Sequence, residues 1–114
     1  MAKPLQTLPV DSVIAARRGA GETTRLRILA LLIEAELTVK DLTAILGQSQ
    51  PRISRHLKLL SEAGLIDRYP EGAWVFYRLT ERGAARRLVG EVFASTERSD
   101  AILSRDRERL AAVK

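Results

Sequence analysis

Between residues 38 and 79 the hydrophobic period of this chain changes from 3.6 residues to 2, and that change restricts the fold more than any other feature. Residues 38–46 read as a short helix with Val39, Leu42 and Leu46 on its inner side, ended by Gly47. Only Gln48, Ser49 and Gln50 stand before Pro51, a favoured first helical residue. The next helix is expected to run to about Ala63 and to stop at Gly64, with Leu65 placed for the apolar contact that follows a glycine cap. Two helices joined by so short a turn carry a helix-turn-helix signature. Residues 65–69 and 73–79 are then rich in β-formers, and Pro70, Glu71 and Gly72 between them have turn chemistry. A hairpin directly after the second helix is a wing. The expected fold class is therefore mainly α with a small β-hairpin, a winged helix-turn-helix.

The flanking segments complete a single domain. Residues 23–34 hold Leu26, Ile28, Leu29, Leu31, Leu32 and Ile33, an apolar face broad enough for a central core helix. Residues 5–20 carry Leu8, Val13, Ile14 and Ala16 in a looser helical pattern, broken at Gly19 and Gly21, with Pro9 and Asp11 as helix-start residues. Thr80 is expected to cap a further helix bearing Leu88, Val89, Val92 and Phe93, and the charged segment 100–114 is expected to be helical. This divides the chain into a flexible N-terminus (1–9), the winged domain (10–97) and a charged C-terminal helix or connector (98–114).

Composition narrows the function. The 114 residues carry 19 basic and 14 acidic side chains, a net charge of +5, which suits a polyanionic partner. There is no cysteine, so disulfides and thiolate metal sites are excluded. No stretch approaches the ~18 apolar residues of a membrane span, and the first residues lack a secretory pattern, so the expected location is the cytoplasm. With no glycine-rich phosphate loop and one histidine in a basic helix, no nucleophile–base pair is apparent, and neither an enzyme nor a cofactor is expected.

The helix that begins at Pro51 has the chemistry of a DNA reader. With Ile53 turned inward, Leu57, Leu60 and Gly64 share its side at ~100° per residue. Arg55, Lys58 and Glu62 lie opposite, flanked by Arg52 and Ser54. From Gln48 to Leu60 there are three bases and no acid. Guanidinium forks suit guanine edges and phosphates, amides suit adenine, and hydroxyls suit either. The N-terminal part of such a helix enters the major groove deepest, so Gln48, Ser49, Gln50, Arg52 and Arg55 are the expected contacts. Ser54 and Lys58 are expected on phosphates, and Arg68 and Arg78 in the wing on backbone or minor groove. His56, the only histidine, is expected to pack or to touch a phosphate, since a lone imidazole makes a poor metal site. Tyr69, Trp74, Phe76 and Tyr77 are expected to serve as hairpin core rather than as a stacking platform for single strands. Trp74 and Phe76 share one strand face and Val75, Tyr77 and Leu79 the other, so only one set faces the core.

Residues 24–29 (TRLRIL), 39–42 (VKDL), 48–60 (QSQPRISRHLKLL), 62–66 (EAGLI) and 71–79 (EGAWVFYRL) together resemble the arsenical-resistance-repressor (ArsR) family over roughly residues 10–95. The resemblance implies a homodimer joined through its first and last helices, here through Val13, Ile14, Leu88, Val92 and Phe93. It also implies a double-stranded DNA target of two-fold symmetry, and repression relieved by an inducer such as a small molecule. Metal-sensing members of the family carry two cysteines where this chain has Thr38 and Lys40, and a second family site needs histidines that residues 82–114 lack. A hydroxyl and an ammonium cannot replace thiolates on a soft metal, so the resemblance is to the non-metal type. Residues 102–114 are similar to the connector between such domains and an S-adenosylmethionine-dependent methyltransferase. The alternative function is accordingly a protein-interaction or dimerisation module of such a fusion.

Overall fold

A computed structural model describes residues 23–94 and 101–113. Val13 and Ile14, with the expected N-terminal helix, lie outside the described residues. Among the described residues five helices and one hairpin follow in order: α1 (Thr23–Glu34), α2 (Val39–Leu46), α3 (Gln50–Glu62), β1 (Ile66–Glu71), β2 (Trp74–Leu79), α4 (Gly83–Ala94) and α5 (Ala101–Val113).

Local chemistry sets the ends of the central helices. At the start of α2 the Thr38 hydroxyl accepts from Asp41 N–H, and the Asp41 carboxylate accepts from Thr38 N–H, each at 3.1 Å. This reciprocal box satisfies two donors that a helix start otherwise leaves unpaired. Gly47 ends α2, donating its N–H to Thr43 O. Ser49 caps α3, its hydroxyl accepting from Arg52 N–H, and Pro51 sits in the first turn. Beyond α3, Leu65 N–H reaches Leu60 O while Gly64 N–H reaches Ser61 O. That pattern is a Schellman motif, which needs a left-handed residue, and Gly64 supplies it at φ +79°. Leu60 and Leu65, both wholly buried, make the apolar contact that accompanies the motif.

α1 is the core helix the sequence predicts, with Ile28, Leu29, Leu31 and Leu32 buried. Ile33 is instead 46% exposed. Three consecutive apolar residues sweep about 200° of helix arc, more than one buried face accommodates. From α3, Ile53, Leu57 and Leu60 enter the same core, joined by Leu42 and Ile45 of α2 and Leu88 and Val89 of α4.

The hairpin pairs Ile66 with Leu79 through to Glu71 with Trp74. Its turn is therefore Gly72-Ala73, which shares only Gly72 with the Pro70-Glu71-Gly72 expected. Gly72 takes φ +63°, as the first position of a two-residue hairpin turn of type II′ requires. Pro70 stays in β1 because β1 is the edge strand, where a missing N–H is tolerated. On the other side of β2, Leu37 exchanges two backbone hydrogen bonds with Tyr77, at 3.1 and 2.8 Å, stitching the α1–α2 loop to the wing.

Opposed residues share a sheet face, so this register sorts the wing aromatics. Val75, Tyr77 and Leu79 line the side with Ile66, and Tyr77 and Leu79 pack on the core. Tyr69, Phe76 and Trp74 lie on the other side, where Tyr69 and Phe76 stack with centroids 6.0 Å apart. Trp74 reaches the tip of the wing and is 56% exposed, which corrects its expected place in the core.

Thr80 does not cap α4 directly. Its N–H is taken by Leu65 O at the foot of the hairpin, so the chain is still extended there. Its hydroxyl accepts from Arg82 N–H instead, and the helix begins at Gly83.

The helical C-terminal segment packs on its own chain, against α1 and α2. Asp106, 1% exposed, accepts from Arg27 Nε at 2.8 Å and from Arg27 Nη2 at 3.0 Å. These hydrogen bonds raise the pKa of the guanidinium above its ordinary value, against a smaller lowering by burial. A raised arginine pKa contributes stability below the unfolded value and loses it only as the solution becomes strongly alkaline. One turn on, Arg109 Nη1 donates to Ile45 O at 3.0 Å and Leu110 is buried.

Two measurements test this packing. Asp106→Ala should cost about 1.5–3 kcal/mol in denaturant unfolding, the range for hydrogen bonds to charged groups, and should speed trypsin cleavage after Arg105 and Arg107. Unchanged stability and cleavage would contradict the docking of α5. Trp74, the only tryptophan, should show solvent-like emission readily quenched by acrylamide, whereas blue-shifted, protected emission would contradict its exposed place.

Candidate nucleic-acid interface

The inward stripe of α3 leaves a polar face outward. Gln50, Arg52, Arg55, Lys58 and Glu62 are exposed and Ser54 is half-buried, so the side chains expected to read DNA or hold its backbone stand on the solvent side. The face has no acid before Glu62, in the last turn. Arg55 makes no hydrogen bond or ion pair with any described residue, which leaves its fork available.

The turn before α3 is held by side chains rather than left open. Gln48 donates from Nε2 to the buried Thr24 hydroxyl of α1 at 3.3 Å, and its Oε1 accepts from Arg52 Nε at 2.9 Å. This relay orients the Arg52 guanidinium from the body of the protein. Ser49, expected as a contact, has its hydroxyl on Arg52 N–H at 3.4 Å as the helix cap. Gln48 and Ser49 thus spend polar atoms on positioning, whereas Gln50 and Arg55 present theirs to solvent.

His56 is only 9% exposed and lies between α3 and α1, with Arg25 Nη1 3.3 Å from its Nδ1. Sequence reasoning did not single out Arg25. The available signal was weak: an arginine early in a helix whose apolar face dominates the pattern. On α3, Arg52, Arg55, His56 and Leu59 recur at i, i+3, i+4 and i+7 and so form one side, and Arg25 faces it across a cleft.

In the wing, Arg68 is exposed, while Arg78 is half-buried against its own hairpin. The Arg78 guanidinium lies 4.7 Å from the centre of the Tyr69 ring, and its Nη1 is 3.9 Å from a Glu36 carboxylate oxygen. Tyr69 donates its hydroxyl hydrogen to the same carboxylate. Arg78 Nε is buried without a hydrogen-bond acceptor among the described residues, and the ring face supplies the compensating cation–π attraction. Arg78 and Arg68, grouped together by sequence, therefore stand in different environments: one braces the wing, the other projects from it.

Of the residues expected at a dimer interface, Leu88 is buried within this chain and Phe93 is half-buried against the core. Val13, Ile14 and the Val92 side chain lie outside what the structure describes. Thr38 is occupied as a helix cap and Lys40 is exposed. Among the described residues no three histidines, cysteines or carboxylates come together as a metal site, and no helix is long and apolar enough to cross a membrane.

Residues 22–68 match the model of the bacterial regulatory protein, arsR family. The arsenical resistance operon repressor of Escherichia coli K12 is 55% identical over 60 residues, covering 52% of this chain and 51% of the relative. The chain thus spans about half the length of that repressor. The HTH-type transcriptional regulator KmtR of Mycobacterium tuberculosis is 30% identical over 90 residues, covering 79% of this chain and 69% of the relative. Among solved structures, a homodimeric winged helix-turn-helix DNA-binding domain from Mycobacterium bovis, a possible ArsR-family regulator, superposes with a TM-score of 0.68. It is 28% identical, over 75% of this chain and 78% of that one. On this combination of sequence and fold, the chain belongs to the bacterial arsR family of regulatory proteins.

Proposed function

We propose that the chain is a sequence-specific DNA-binding transcriptional regulator, a repressor, that binds an inverted-repeat operator as a homodimer. The observation that carries this reading is the outward face of α3, where Gln50, Arg52, Arg55 and Lys58 stand exposed without an intervening acid. Such a face set in a major groove offers forks to guanine edges from Arg52 and Arg55 and an amide to adenine from Gln50. Ser54 and Lys58 on its flanks would hold phosphates, which fix register rather than sequence, and Arg68 would touch the backbone from the wing. The names of the relatives support the same reading: one is an operon repressor and one a transcriptional regulator.

A two-fold axis would set two copies of α3 in successive major grooves about 34 Å apart. The Mycobacterium bovis neighbour is homodimeric, and Phe93 with residues of the N-terminal segment would supply the dimer contact here. We place the chain in the non-metal branch of the family, because it has no thiolate to offer a soft metal. Its signal would then be a small-molecule inducer. A DNA target sets the site of action in the cytoplasm.

Arg55→Ala should weaken binding to the target site by about 1–3 kcal/mol and relax discrimination at one base pair, as expected when a bidentate base contact is lost. Fluorescence anisotropy on matched and single-mismatch duplexes measures both. Wild-type affinity and discrimination in a folded dimer would remove Arg55 from the reading face.

A further inference from the structure

The cleft between α1 and α3 shares Arg52 and Arg55 with the base-reading face and adds Arg25 and His56, which that face does not use. Its volume is about 430 Å³, and it is lined by Arg25 of α1 and by Pro51, Arg52, Arg55, His56 and Leu59 of α3. Among these described residues are three guanidiniums, an imidazole and no carboxylate. Their placement is built into the fold. Arg52 is oriented by Gln48, itself tied to Thr24, and Arg25 is held with its Nη1 3.3 Å from the nearly buried His56 ring. Two helices therefore present positive charge to one opening from opposite sides. Guanidinium forks bind phosphate oxygens in pairs, and fixing them beforehand lessens the ordering cost on binding.

We propose that Arg25 closes a clamp on a DNA backbone phosphate at the edge of the groove that α3 enters, opposite Arg52 and Arg55. The proposal rests on the DNA-binding reading above and adds to it a contact from outside the helix-turn-helix. Arg25 then supplies sequence-independent grip, setting how far α3 enters the groove rather than which bases it reads. His56 acts as a positioning residue, its ring steadying the Arg25 guanidinium from inside the fold.

The test is binding of the full chain to a selected site and to an unrelated duplex, each across a range of salt. Arg25→Gln should weaken both complexes alike, roughly 3- to 10-fold, and should reduce the slope of log affinity against log salt by about one, the signature of one lost phosphate contact. Arg25→Lys should restore the slope. An unchanged slope in Arg25→Gln, with Arg55→Ala still losing discrimination, would overturn the clamp and leave the DNA-binding reading standing. Loss of discrimination with unchanged slope would make Arg25 a structural support of α3 and would also overturn it. Millimolar inorganic phosphate binding that Arg25→Gln abolishes, with DNA affinity intact, would reassign the cleft to a free anion. If the wild type binds neither duplex, both readings fall together.

Discussion

Ile53, Leu57 and Leu60 drive one stripe of α3 into the core, and the other features of the interface follow from that anchorage. Each is buried to 1% exposure or less, and burial of a side chain of this size contributes about 1.5–3 kcal/mol. A helix held along one stripe has no freedom to rotate, so the opposite stripe, with Arg55 and Lys58, is presented at a fixed angle. The caps refine this. Ser49 and Pro51 set where α3 starts, the Gln48 relay ties that start to α1, and the Schellman motif at Gly64 delivers the chain into β1. Rigid presentation is what sequence discrimination requires, because a base contact is useful only when its donor is already aimed.

The C-terminal helix adds a second constraint at the other side of the same unit. Asp106 reaches α1 through Arg27, and Arg109 takes a carbonyl near the end of α2. Both attachments fall on the two helices that support α3: α1 through the core and the Thr24–Gln48 contact, α2 through the turn. The charged terminal segment is thus part of the scaffold on which the reading helix rests. Its cost is the desolvation of Asp106, offset by two short hydrogen bonds in a fork geometry.

Much of this was legible because the signals were local. Gly47, Pro51 and Gly64 each impose a cap or a stop within a few residues, and α1, α2 and α3 begin and end within a residue or two of expectation, although Thr38, expected inside α2, is its cap. The inner and outer stripes of α3 follow from periodicity alone. What stayed hidden depends on contacts distant in sequence. Asp106 lies on the buried stripe of α5 between Leu103 and Leu110, and a carboxylate at such a position disguises an amphipathic helix unless its partner, 79 residues away, is known. Leu37 carries no strand pattern of its own because its pairing is a single bridge to Tyr77. The turn at Gly72-Ala73 shows how a proline on an edge strand imitates turn chemistry. Trp74 and Arg78 share the face of β2 turned away from the core, and what separates them is position along it: Arg78 lies over the Tyr69 ring, while Trp74 stands at the tip with little to cover it. Arg25 was missed for the same reason as Asp106: its significance comes from the helix opposite.

The central claim is that two rigidly held copies of α3 read a symmetric DNA site. Its most direct test is selection from random duplex DNA by the purified protein at 150 mM salt, followed by sequencing of the retained pool. A homodimer of this kind should enrich an inverted repeat whose half-sites lie about one helical turn apart. A retained pool with no enriched sequence, or no retention by a protein shown to be folded, would contradict it.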